Sequence, residues 1–238
     1  MDKNFVLPKI FWGYDENNNE LNYDFKELKN IFICGGTGSG KTNFLNIVLN
    51  QLVKVDEKNI QLYLFDPKTV ELFNYKKYEH VAYYNDKGTI YFGLNKVIGE
   101  INNRYAMLKE QNTNDFDEYN AMQKNDANKL CFGVVIIDEV ADILMLDEDK
   151  EQLLTILTKG SQVGIYVIAT SQRCQNKEAN KLFTTLFVGY KNKDKDKGFL
   201  QLLNQKEVDL TKLGEMYFVS PVNNYALQKI HIPYANNV

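Results

Sequence analysis

Apolar and polar positions fall in blocks along this chain. Ile31–Cys34, Ile60–Phe65, Phe132–Ile137 and Gly164–Ala169 are short apolar runs with few polar interruptions. Runs of this kind are expected for strands buried on both faces of a sheet. Val81–Tyr84, Leu186–Tyr190 and Glu215–Val219 are further short strand-like runs. Between the runs lie stretches with helical spacing. Thr42–Val53 and Glu151–Leu157 are two of them, and Asn95–Glu110 carries apolar residues at Val97, Ile98, Ile101, Tyr105 and Leu108. Strands alternating with helices imply right-handed crossovers. The predicted fold is therefore α/β, with a mainly parallel central sheet flanked by helices.

The first thirty residues read differently. Lys9–Tyr14 and Glu20–Phe25 are strand-like, and Asp15–Asn19 is a polar turn between them, which predicts a small N-terminal β-hairpin. The polar stretch Glu110–Lys129 is expected to be an exposed insertion, and Lys191–Lys197 a solvated charged loop. No repeat or linker interrupts the pattern. The expected organisation is one domain over residues 1–238, with 1–30 as the hairpin segment and 31–238 as the core.

The chemistry enters directly after the first buried run. Gly35-Gly36-Thr37-Gly38-Ser39-Gly40-Lys41-Thr42 has a glycine, four residues, then Gly-Lys-Thr, between a predicted strand and a predicted helix. This is the P-loop pattern in its required context. Its glycines let backbone N–H groups turn inward toward phosphate oxygens. The following helix aims the positive end of its dipole at the same place. Lys41 supplies a charge for the β- and γ-phosphates, and the Thr42 hydroxyl can ligate Mg²⁺. The expected cofactors are ATP and Mg²⁺.

A second cluster completes the pattern. The buried run ending at Ile137 finishes in two carboxylates, Asp138 and Glu139. In P-loop enzymes a carboxylate at this position holds the metal. Asp138 is the metal candidate, and Glu139 is placed to polarise an attacking water. Such a pair points to hydrolysis more than to phosphoryl transfer onto a second substrate.

Composition narrows the partners without changing this picture. The net charge of −3 provides no bulk basic field, so contact with nucleic acid would rest on local patches or on repeated subunits. Cys34, Cys131 and Cys174 are far apart and read as reduced thiols of a cytoplasmic protein. His80 and His231 stand alone and suggest no metal site. Trp12 reads as a packing residue of the hairpin, with stacking on adenine as the alternative. No run approaches a transmembrane span.

Several stretches together resemble the motor domain of the FtsK/SpoIIIE family of DNA translocases, within the FtsK–HerA group of P-loop ATPases. Asp66-Pro67-Lys68 followed by Glu71-Leu72 is similar to the family's DPK…EL segment. Arg104-Tyr105 is similar to its Arg–Tyr helix, with Asn103 where a first arginine would stand. Asp138-Glu139-Val140-Ala141-Asp142 resembles DEFAD, and Gly164-Ile165 with Ala169-Thr170-Ser171-Gln172-Arg173 resembles GI…ATQR. The resemblance runs from about Phe11 to Ile232.

The resemblance implies a RecA-like fold and an ATP-driven motor that moves double-stranded DNA through a ring, usually a hexamer. It implies that Gln172 is a polar sensor of the γ-phosphate or the attacking water. It places Asp66 and Lys68 near the carboxyl ends of the strands, where ligands of open α/β sheets gather. There are departures. Phe183-Thr184-Thr185 stands where the family often has Pro-Thr-Arg, and Lys197 where it has a later arginine. Arg173, Lys193 and Lys197 remain as candidates for a cation acting across a subunit interface, although lysine lacks the bidentate fork of arginine. The sequence shows no membrane segment, long linker or winged-helix domain. That favours a stand-alone motor of a plasmid, conjugative transposon or phage, with a membrane or relaxosome protein as partner. Protein secretion is the alternative cargo. An ATP-dependent assembly or adaptor module with little turnover is the alternative class.

Overall fold

The computed structural model describes residues 9–69, 71–172, 181–189, 198, 202–203, 210 and 212–235. In chain order, β1 (Ile10–Asp15) and β2 (Glu20–Tyr23) are followed by α1 (Phe25–Leu28), β3 (Ile31–Cys34) and α2 (Lys41–Leu52). Next come β4 (Ile60–Phe65), β5 (Val81–Tyr84), α3 (Lys87–Glu110) and α4 (Phe116–Met122). They lead to β6 (Phe132–Ile137), α5 (Val140–Ile143), α6 (Asp147–Lys159) and β7 (Ile165–Ser171). β8 (Thr185–Gly189), β9 (Glu215–Val219) and β10 (Gln228–His231) close the chain. The residues form two compact units. One holds Val55–Asp138 and Asp142–Val167, and the other holds the described parts of Pro8–Lys54, Glu139–Ala141 and Ile168–Val238.

In the first unit β4 pairs in parallel with β5 on one side and with β6 on the other. Every residue of β6 is buried, which explains its unbroken apolar sequence. The long helix α3 begins eight residues before the predicted start at Asn95. Asp86 and Thr89 form a reciprocal capping box that fixes this start. Gly93 lets the helix lie close to the sheet, because a Cβ there would stand 2.7 Å from the Tyr84 ring. The expected exposed insertion instead contains α4, with Phe116, Tyr119 and Asn120 buried. Phe116 packs on Phe132 with ring centroids 4.7 Å apart. Asn120 holds the return of the chain, accepting from the Leu130 N–H (2.8 Å) and donating to the Leu130 carbonyl (3.0 Å).

In the second unit β3 lies between β7 and β8, parallel to both. Beyond β8 the strands β9, β10, β1 and β2 follow in order, each antiparallel to its neighbour. The predicted hairpin is present, and β10, which the sequence reading did not anticipate, extends the sheet from it toward β9. Trp12 anchors this side. It is fully buried, stacks on Phe187 at 5.7 Å and meets Phe44 edge-on at 6.1 Å. Its indole N–H donates to the Tyr23 carbonyl at 3.0 Å. The residue is core, not a platform for adenine. Gln51 of α2 receives the Phe11 N–H (2.8 Å) and donates to the Phe11 carbonyl (3.1 Å), tying the helix to β1.

Candidate active site

The phosphate loop leaves β3 at Cys34 and enters α2 at Lys41. Two glycines shape it. Gly35 has φ of +152°, and a Cβ there would meet Ser39 Oγ at 2.6 Å and collide with the Gly189 carbonyl. Gly40 has φ of +97° and serves as the N-cap of α2. Neither position accepts a larger residue without strain. The turn is closed by a Ser39 N–H donation to the Gly36 carbonyl at 3.1 Å. Lys41 is 8% exposed, and its ammonium donates to the carbonyls of Gly35 (2.7 Å) and Gly36 (3.1 Å). Its charge is thus fixed inside the curl of the loop. Gly36 is half-buried, whereas Thr37, Gly38 and Thr42 are exposed, and Thr42 stands in the first turn of α2.

The end of β7 reaches this loop. The Gly35 N–H donates to the Ser171 carbonyl at 3.1 Å. The Thr37 hydroxyl donates to Gln172 Oε1 at 3.0 Å. Glu139 converges on the same place. Its carboxylate accepts from the Ser171 hydroxyl at 2.7 Å and from the Gln172 N–H at 3.1 Å. Its own N–H donates to Thr170 Oγ1 at 3.0 Å. The structure therefore brings together Gly35, Thr37, Lys41, Glu139 and Gln172. Asp138 directly follows β6 in the first unit, is 9% exposed, and donates its N–H to the Phe65 carbonyl at 2.9 Å. Glu139 follows it directly in the chain.

Other sequence candidates turn inward. Asp66 is fully buried, and Oδ2 accepts from the Leu72 N–H and the Tyr83 hydroxyl, both at 3.1 Å. Burial, the Asp66 charge and this hydrogen bond push the Tyr83 phenol above its ordinary range. Arg104 is 2% exposed. It pairs with Glu100 at 2.7 Å and donates to the Val163 carbonyl at 2.9 Å, so it locks α3 to the turn before β7. Tyr105 adds a donation to the Lys159 carbonyl at 3.1 Å. Arg173, Cys174 and the stretch 190–197, with Lys193 and Lys197, lie outside the described residues. The sequence reading missed Thr170 and Ser171. The sequence carries only a faint signal for them, two hydroxyl residues at the end of an otherwise apolar strand, and the structure buries both almost fully.

A sequence model of the FtsK/SpoIIIE family matches residues 8–176. The chain belongs to this family. It is 32% identical over 168 residues to the DNA translocase SftA of Bacillus subtilis (strain 168), covering 68% of this chain and 18% of SftA. It is 28% identical over 232 residues to the DNA translocase FtsK of Helicobacter pylori (strain J99), covering 94% of this chain and 27% of that protein. The chain thus spans about a fifth to a quarter of the length of these curated relatives. Among solved structures, the monomer form of the pCW3 conjugation coupling protein TcpA with ATPgS aligns at a TM-score of 0.82 and 20% identity. That alignment covers 99% of this chain and 69% of TcpA. EssC (ATPases 2 and 3) from Geobacillus thermodenitrificans aligns at 0.78 and 22% identity, covering 96% of this chain and 44% of EssC. These likenesses give the fold of a P-loop ATPase. Among the described residues no helix is long and apolar enough to cross a membrane.

Proposed function

We propose that this FtsK/SpoIIIE-family ATPase couples ATP hydrolysis to movement of double-stranded DNA through an oligomeric ring, a hexamer, in the cytoplasm. The observation that carries the reading is the convergence of Glu139 and Gln172 on the phosphate loop, in a chain whose curated relatives are DNA translocases. The loop suits a triphosphate: a curl that admits no Cβ at Gly35, a fixed ammonium at Lys41, and a helix N-terminus behind it. Thr42 and Asp138 would hold Mg²⁺, a hard cation that prefers hydroxyl and carboxylate oxygens. Bound ATP supplies the phosphoanhydride whose cleavage powers the motor.

Glu139 is the residue assigned to orient and polarise the attacking water. Gln172 is the sensor, because its side chain meets the loop at Thr37 while its N–H meets Glu139. A change at the phosphates therefore reaches the end of β7 through one residue. The net charge of −3 is compatible with DNA if each subunit adds a few cations around a pore. The conjugation role named for TcpA, together with plasmid, transposon or phage DNA handling, is the setting we favour, with a membrane or relaxosome protein as partner.

The test is ATPase activity of the assembled protein with and without linear duplex DNA. Stimulation by DNA that falls as salt rises is the expected result. No response to DNA at low salt ends the DNA reading. Stimulation by peptide instead would move the cargo to secreted protein. Background turnover under all conditions would leave an ATP-dependent assembly module.

A further inference from the structure

Glu139 sits in a conformation that its residue type does not favour. Its φ is +60°, in the left-handed region where a residue with a Cβ is disfavoured. Such a residue persists where its surroundings over-determine it. Here the surroundings are the last residues of β7. Thr170 takes the Glu139 N–H, and the Ser171 hydroxyl donates to the carboxylate at 2.7 Å from Oε1. The Gln172 N–H lies 3.1 Å from both carboxylate oxygens, so it steadies the group without choosing one oxygen. The hydroxyl, by contrast, meets one oxygen, Oε1. Ser171 also presents its carbonyl to the Gly35 N–H and pairs in register with Cys34. One residue thus holds both the start of the phosphate loop and the acid.

We propose that Ser171 is a positioning residue for hydrolysis: its hydroxyl fixes the rotamer of Glu139 against the phosphate loop. The proposal rests on the reading of Glu139 as the group that orients water. Ser171 is fully buried and small, so Ser171→Ala removes one oxygen with little change in packing. The backbone bond to Gly35 remains, and nucleotide binding should remain with it. Loss of that positioning should lower kcat at least about tenfold, which corresponds to about 1.4 kcal/mol in the activation barrier.

The experiment measures ATP affinity, KM and kcat for wild type, Ser171→Ala, Ser171→Thr, Glu139→Gln and the Ser171→Ala/Glu139→Gln pair. The proposal predicts a loss in kcat at unchanged affinity for Ser171→Ala. It predicts recovery in Ser171→Thr, which restores a hydroxyl, and no further loss when Ser171→Ala is added to Glu139→Gln. Wild-type or raised kcat in Ser171→Ala, beside a slow Glu139→Gln, overturns the proposal and leaves the Glu139 reading intact. Wild-type turnover in Glu139→Gln overturns the Glu139 reading itself. If Ser171→Ala loses its folded circular dichroism, Ser171→Cys replaces it. A thiol donates weakly, so reduced kcat at normal affinity is expected, and full kcat overturns the proposal.

Discussion

Asp66 and Glu139 invite comparison. Each follows a buried parallel strand, β4 for Asp66 and β6 through Asp138 for Glu139, and each stands in a stretch that resembles a family motif. Their carboxylates serve different ends. Asp66 spends Oδ2 on its own turn, accepting from Leu72 and Tyr83, and is sealed from solvent. Glu139 is held by the end of β7, whose next residue touches the phosphate loop at Thr37. A carboxylate at a strand end is therefore not a site residue by position. It becomes one when its hydrogen bonds lead to the ligand loop instead of back into its own turn.

The sharpest way to break this contrast is to remove each acid in turn. Glu139→Gln keeps the shape and removes the base. Turnover should fall by about 10²–10⁴ while ATP affinity and folding hold, as read by nucleotide binding beside steady-state hydrolysis. Undiminished turnover would make Glu139 another structural acid. Asp66→Ala should do the reverse. It takes the acceptor from the buried Leu72 N–H, which costs about 1–3 kcal/mol, and from the half-buried Tyr83 hydroxyl, which costs less. Chemical denaturation should show that loss, with kcat per folded molecule unchanged. A specific loss of kcat would give Asp66 a place in the reaction.

The smallest expected effect concerns a third acid. Asp149 in α6 is 4% exposed, and it lines a cavity of about 250 Å³ with Asp142, Lys87 and Ile90 among its neighbours. Burial raises its carboxyl above the ordinary value, with Lys87 opposing and Glu148 adding to the shift. A folded-state pKa above the unfolded one contributes stability at low pH and loses it as pH rises through the folded value. At neutral pH the charged form carries the burial penalty in full. Asp149→Asn should therefore raise Tm at pH 7, with the gain shrinking as pH falls through the carboxylate range. A lower Tm at pH 7 would show that the charge has a stabilising partner.

The sequence disclosed the parallel strands and the phosphate loop because both obey short-range rules. Buried strands are apolar runs, and the loop has fixed spacing. It hid what depends on distant partners. α3 began unseen because Gly88 and Gly93, with the exposed Tyr91 and Phe92, break its apolar period before Asn95. β10 was invisible because only Ile230 of its four residues is buried. α4 was concealed in a polar stretch where only Phe116 and Tyr119 among its larger apolar side chains turn inward, while Met122 stays exposed. At the site, Lys41, Glu139 and Gln172 were legible as candidates, but the hydroxyls of Thr170 and Ser171 gained meaning only beside Glu139.

The proposed motor moves along duplex DNA at the expense of ATP. Displacement of a labelled third strand from a DNA triplex tests it most directly, with the assembled protein loaded on the flanking duplex. Wild type should release the third strand only when ATP is supplied, and Glu139→Gln should bind the same DNA and ATP without releasing it. Steady ATP hydrolysis on this DNA with the triplex left intact would mean that the protein does not translocate.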